Sequence, residues 1–525
     1  MLNFRTLIPG ILAASSIMVV LGSALLSIGY YAITSGEINS YIDSYLLHIL
    51  WITVYQATLS TCLSIFFAIL MAKALSMVEF WGKGLLLRIM PVTFILPALV
   101  VVTGLLSVYG QQGLLSIFVG YIGLPFSWSI YGLQGILLAH VFLNFPYACC
   151  LFYRTLMSVP VEQKQLAAQL NFSGYTFFRL VEWPHLRRQI LPMASLIFML
   201  CFSSFAIVLA LGGGPKYTTI EVAIYQSIRD FDFIQAVLLS LLQLLCCVGF
   251  MGIMQKFNNN KQVTMRFIKQ NYRFPVSGLT ALLSSIVIIM GGLFILLPLI
   301  NIVIDGVYFF RLSLFTPTFQ HATLFSLFIA LGSAIVTLLM ALFILWTNSR
   351  LLIYQKVTWS NRLMLASSLI LAIPSMILAS GLFILFYQYA GNTWFICILL
   401  ILCNALMALP FVIKSLATPM FDVTKRYWLL SQSLCIDGVN HFYLIEYKAL
   451  NKLMLKSFVF SAILSLGDFG IIALFGGQSV ITLPYYLYEQ LSHYHYQDGS
   501  VTAAILLIIS FSLLVLVDDD HTQSY

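Results

Sequence analysis

The run IPGILAASSIMVVLGSALLSIGYY, from Ile8 to Tyr31, contains no charged residue. A helix needs about 20 mostly apolar residues to cross the hydrocarbon core of a bilayer. The apolar region of a cleaved signal peptide is only about 7–15 residues long. The run is therefore read as a retained first membrane span behind a short basic start. Similar runs follow it near residues 47–70, 89–108, 133–152, 193–211 and 236–254, then 279–304, 323–345, 364–386, 394–413, 458–475 and 500–517. Together they make about twelve candidate spans. Lipid offers the backbone no hydrogen-bond partner, so spans are either helices or strands of a closed barrel. These runs are continuous and lack strict alternation, which selects helices. The expected fold class is an all-α polytopic membrane protein.

Composition points the same way. Hydrophobic residues make up 61% of the chain and charged residues 8%, whereas a soluble domain carries about 25% charged residues. The net charge of +8 does not indicate a nucleic-acid partner, because the basic residues are scattered among apolar runs. In a membrane protein their placement sets the orientation. With both termini in the cytoplasm, all 26 Lys and Arg except Lys216, Arg229 and Arg311 fall on the cytoplasmic side. The nine cysteines include no CxxC pair, and eight of them lie in apolar runs, where they serve as small packing residues.

The chain also repeats itself. Asn171-Phe172-Ser173-Gly174 and the following Leu180-Val181-Glu182 recur as Cys435-Ile436-Asp437-Gly438 and Leu444-Ile445-Glu446 at one fixed offset. At the same offset Pro146 meets Pro410, Phe205 meets Phe469, and Gly212-Gly213 meets Gly476-Gly477. Leu96-Pro97 through Gly104 resembles Ile373-Pro374 through Gly381. This predicts two halves, residues 1–277 and 278–525, each with about six spans in the same orientation and related by an axis along the membrane normal. The transport path is expected between them.

Two long basic segments interrupt the spans, from Met157 to Ile190 and from Ala417 to Lys456. The first contains EQKQLAAQL, which is made of good helix formers and places Leu166, Ala167 and Leu170 on one stripe. A short cytoplasmic helix with an apolar stripe suits a partner protein or a lipid surface. These segments resemble the EAA loops of ATP-binding-cassette importer permeases, whose pattern is Glu-Ala-Ala, then a glycine and, further on, a proline at set positions. Aligned on Pro184, the first loop has Gln165-Leu166-Ala167 at the opening triplet and Asn171 at the glycine, with Gly174 following. The second has Leu429-Leu430-Ser431, then Leu434, Cys435 at the glycine, Gly438, and Lys448 at the proline. The first loop keeps more of the pattern than the second.

A closer resemblance covers both halves. EQKQLAAQL, FFRLVEWPHLRRQI, LGGGPKYTTIEVAIYQ, LSLGDFGIIALFG, TLPYYLYEQ and QDGSVTAAILL are similar to the permeases of thiamine ATP-binding-cassette importers. That resemblance implies a type I importer permease with both halves fused in one chain in a bacterial inner membrane. It implies a separate ATPase pair, taken as a homodimer, docked on the two loops, and a periplasmic thiamine-binding protein on the other side. It also implies the substrate, thiamine and its phosphates. The chain has no GxxxxGK[ST] loop and no catalytic constellation, so ATP hydrolysis is assigned to the partner, and neither a cofactor nor a metal is expected. Asp468 is the one acid placed inside a span, where an acid costs about 2.5–3.5 kcal/mol at a helix centre. It is a candidate counter-charge for a cationic substrate or a structural cap beside Gly467 and Gly470. Its equivalent in the first half is Ser204. Rival readings are a permease of the same architecture for ferric iron or another small solute, an ion-coupled secondary transporter, and a membrane enzyme.

Overall fold

A computed structural model of the chain describes residues 7–35, 44–123, 125, 128–172, 174–257, 278–389, 391–436, 438–476 and 480–518. The boundary expected at 277/278, the basic residues Arg5, Lys261, Arg266, Lys269 and Arg273, and Ser173, Asp437 and Gly477 of the repeat lie outside them. Among the described residues the regular elements are helices, as the hydrogen-bonding constraint of lipid requires. Ten of these helices are long and apolar enough to cross a membrane.

The spans expected near 193–211 and 364–386 are instead broken. So are those near 89–108 and 458–475. Each break falls at one of two repeated positions. The third span enters through a 3₁₀ turn, Met90–Ile95, and resumes as a helix at Ala98–Tyr109 after Leu96-Pro97. The ninth does the same through Leu369–Ala372, Ile373-Pro374 and Ser375–Phe386. Proline lacks an N–H and pushes the preceding residue toward extended geometry, and Leu96 accordingly sits at ψ 141°. The fifth span stops at Phe202 and resumes at Ala206–Leu211. The eleventh stops at Gly467 and resumes at Gly470–Phe475.

Two sets of helices show matching packing. The helix Ser44–Met77 lies along Leu133–Met157, and Pro317–Ile353 lies along Thr393–Ser433. The first helix of each set reaches across to the other. Ile8–Ser35 packs on Ser375–Phe386, and Gly278–Tyr308 packs on Ala98–Tyr109. Gly104 and Gly381, which share the spacing of Pro97 and Pro374, mark these two crossings. A Cβ at Gly104 would come within 2.6 Å of Ile302 Cδ1, and one at Gly381 within 2.5 Å of the Ala24 carbonyl oxygen. Ser27 Oγ donates to the Gly381 carbonyl at 2.7 Å. The absence of a side chain at both glycines lets the crossing helices approach this closely.

Candidate functional site

The four breaks converge on one cavity of about 870 Å³, lined by Phe94, Ala98, Ser203, Ser204, Ile373, Pro374, Ser375, Gly467, Asp468 and Gly470 among others. Helices that break in this way present backbone and short polar side chains where an intact apolar helix would not. The polar part of the wall is unequal between the two sides. His140 and Asn404 occupy equivalent repeat positions, at the same offset as Pro146 and Pro410, and both line the cavity. His140 Nδ1 lies 3.0 Å from Ser60 Oγ, and Asn404 Nδ2 donates to Ser465 Oγ at 2.8 Å. His140 Nε2 and Asn404 Oδ1 are buried without a hydrogen-bond partner among the described residues.

Asp468 and Ser204 also face the same cavity from equivalent positions. Asp468 Oδ2 accepts from the Ile471 N–H at 3.3 Å, capping the short helix that follows it. The capping role proposed from sequence is therefore present, and the side chain still keeps partial exposure toward the cavity. One side of the wall thus carries a carboxylate where the other carries a hydroxyl.

Two stacked aromatic rings, Phe205 and Phe469, form part of the cavity wall. Phe205 and Phe469 stack on each other with centroids 5.6 Å apart and planes 17° apart. Phe205 also meets Tyr225 edge-on at 5.2 Å, and Phe469 meets Tyr488 at 4.9 Å. Arg229 bridges the two sets by donating from Nη2 to the Ala473 carbonyl at 2.9 Å. Toward the basic loops the lining continues to Gln189 and Lys414.

Glu221 lies between the spans expected near 193–211 and 236–254, in a stretch to which the sequence assigns no buried element. It is fully buried in the short helix Ile220–Arg229, where Gln243 Nε2 donates to its Oε1 at 3.0 Å. The signal was its setting. Ile220, Val222, Ala223, Ile224 and Ile228 around it are all buried, so TTIEVAIYQ is a core helix in which the one acid is necessarily interior.

The two basic loops share one geometry. The helix Val161–Gln169 ends with Phe172 N–H donating to the Ala167 carbonyl at 2.9 Å, and its counterpart ends with Ile436 N–H donating to the Ser431 carbonyl at 2.9 Å. This six-to-one closure places the intervening residue in the left-handed region. Asn171 accordingly has φ 54° and Cys435 φ 51°. That conformation explains why the family pattern has glycine here. Gly174 and Gly438 follow at φ 51° and 59°. Pro184 follows directly on the π-helical turn Phe178–Glu182, inside a continuous helical run where a proline removes one backbone donor, and Lys448 follows the matching turn Phe442–Tyr447.

The expected stripe is not one surface. Leu166 and Leu170 are 57% and 56% exposed, but Ala167 is only 2% exposed. In the second loop Leu430 and Leu434 are 55% and 60% exposed, and Ser431 is 2% exposed. Ala167 and Ser431 thus face inward, correcting their assignment to a partner-facing stripe. Positions i and i+4 point outward together while i+1 turns toward the protein. Gln165 is exposed beside Leu166. The two loops present equal faces despite their unequal fit to the pattern.

Broken helices around a largely apolar cavity with a few polar groups in its wall, together with a matched pair of basic loops, are the architecture of a polytopic permease. Residues 64–262 match the family of binding-protein-dependent transport system inner membrane components. The chain is 43% identical to the thiamine transport system permease protein of Salmonella typhimurium over 98% of its own length and 96% of that protein's. It is 34% identical to the corresponding protein of Brucella abortus over 97% and 94%. A probable sulfate transport system permease protein of Chlorella vulgaris is 25% identical over 39% of the chain and 77% of that protein. The chain belongs to the family of thiamine transport system permease proteins.

Proposed function

We propose that the chain is the membrane pathway through which thiamine and its phosphates enter the cytoplasm, driven by a separate ATP-binding-cassette ATPase and supplied by a periplasmic thiamine-binding protein. The observation that carries this reading is the cavity at the convergence of the four helix breaks, with Asp468 in its wall. Thiamine bears a fixed thiazolium charge, and a carboxylate in the wall of a largely apolar cavity is suited to a cation. A sulfate would meet repulsion there. The matched sets of spans, taken as halves 1–277 and 278–525, form the two sides of the path.

In this reading the basic loops face the cytoplasm with both termini, by the positive-inside rule. The ATPase pair docks on Leu166, Leu170, Leu430 and Leu434. Closure of that pair moves the loops, and the two sides rock about the cavity so that the Phe205–Phe469 stack opens toward the periplasm. The test is growth of a thiamine auxotroph on limiting thiamine with its own permease replaced by this chain, the ATPase and binding protein being supplied alongside. Growth is expected on limiting thiamine, with no gain in ferric iron or sulfate uptake. Failure to grow while iron or sulfate uptake rises would replace thiamine by that solute.

A further inference from the structure

The repeated glutamates, Glu182 and Glu446, have no part in docking or in the cavity wall. In each basic loop the glutamate lies in a π-helical turn, Phe178–Glu182 in the first and Phe442–Tyr447 in the second. Such turns are rare and often mark functional positions. Each glutamate is buried and is held by a base from the end of the second span of its own set. Lys73 Nζ donates to both Glu182 oxygens, at 2.7 and 2.5 Å. Arg350 Nη1 lies 3.2 Å from Glu446 Oε1. Lys73 and Arg350 stand at the same spacing as Pro97 and Pro374. The repeat therefore retains both partners of the pair, although one base is Lys and the other Arg.

The surroundings match as well. Lys73 Nζ lies 5.4 Å from the centre of the Phe177 ring, and Arg350 stacks 3.9 Å over Trp346. The first pair is the looser, with side chains 19% and 8% exposed against 3% and 0% in the second. Glu446 also accepts from Thr424 Oγ1 at 2.9 Å, and His441 Nδ1 lies 3.4 Å away. Glu446 is thereby tied to the long helix Thr393–Ser433 as well as to Pro317–Ile353.

We propose that Lys73–Glu182 and Arg350–Glu446 are the two joints that transmit movement of the docked loops to the second span of each set, with the first joint yielding during the cycle and the second staying closed. Without a joint, a loop held on a partner can move while the helix above it stays still. The exposed leucines come before the turns at Asn171 and Cys435 and the buried glutamates come after them, so docking and transmission are separable. These are positioning residues and touch no substrate.

The proposal rests on the importer reading, which the unmutated complex tests by itself through ATP-driven thiamine uptake. In vesicles containing chain, ATPase and binding protein, thiamine taken up per ATP hydrolysed is measured for Glu182→Gln, Lys73→Met and the exchange Lys73→Glu with Glu182→Lys. The two single variants should retain the ATPase and hydrolyse ATP, while uptake per ATP falls by about three- to thirtyfold, the range in which mutations along a coupling network act. The exchange should recover most of the loss. Glu446→Gln should lower uptake per ATP further. If that variant is too poorly folded to assemble, Arg350→Lys, which keeps the charge, provides the measurement on the second joint. An assembled Glu182→Gln complex with unchanged uptake per ATP would overturn the joint, and so would loss of ATPase binding as the sole defect.

Discussion

Replacing Leu166 and Leu170 together by alanine removes the exposed apolar face of the first loop. In the free chain these side chains are 57% and 56% exposed, so somewhat over half of each remains to be covered by a partner. Full burial of a leucine contributes about 1.5–3 kcal/mol. Covering the remainder of two of them contributes about 2–3 kcal/mol, which corresponds to a roughly 30- to 150-fold loss of affinity. The assay is titration of the ATPase onto the detergent-solubilised chain, with the chain's thermal stability measured alongside. Stability should hardly change, because the removed surface faces outward. Leu430→Ala with Leu434→Ala should cost the same within about a factor of three, since 55% and 60% exposure makes the two faces equivalent. Ala167→Glu is expected to act differently. At 2% exposure it would force a charge into the loop interior and lower abundance before any effect on docking could be read. Unchanged ATPase affinity in both double-alanine variants would refute the docking assignment and leave these helices to the lipid surface.

Three further outcomes follow from the same geometry. Cys435→Gly should raise thermal stability by about 1 kcal/mol, because a residue with a Cβ at φ 51° bears a left-handed cost that glycine does not; a lower melting temperature would contradict the reading of that turn. Glu446→Ala strands Arg350, which is 3% exposed, as a buried unpaired charge and should destabilise the chain by about 3–5 kcal/mol, visible as lost abundance, whereas Glu182→Ala at the more exposed joint should cost less. Asp468→Asn keeps the capping acceptor for Ile471 N–H but removes the charge, so thiamine uptake should fall while ATPase binding is retained. Normal uptake by a well-expressed variant would leave Asp468 as a cap alone.

The sequence made the helices legible because lipid removes every alternative to them over runs such as Ile8–Tyr31. It also made the repeat legible, since Gly174 and Gly438 mark turns that must fold alike. The breaks at Leu96-Pro97 and Ile373-Pro374 were visible as motifs but not as interruptions, because proline inside a membrane helix is often accommodated, as at Pro146 and Pro410 here. Ala167 was misplaced because a heptad-like stripe sets which residues neighbour one another on a helix and says little about which edge of the stripe turns inward. Glu221 was missed because charge in a short interior helix looks like charge in a loop when only long apolar runs are scored. The ion pairs were beyond reach from sequence, since Lys73 and Glu182 are brought together only by the packing of Ser44–Met77 against the helix that begins at Trp183.

The central claim is that this chain, powered by a separate ATPase, carries thiamine through the cavity between its two sets of spans. Uptake of labelled thiamine into vesicles reconstituted with the chain, the ATPase and the thiamine-binding protein tests it most directly. Accumulation against a gradient should require ATP together with all three proteins, should persist when the proton and sodium gradients are collapsed, and should be undetectable with the chain alone. Accumulation by the chain alone, driven by an ion gradient and indifferent to ATP, would contradict the account and make the protein a secondary transporter.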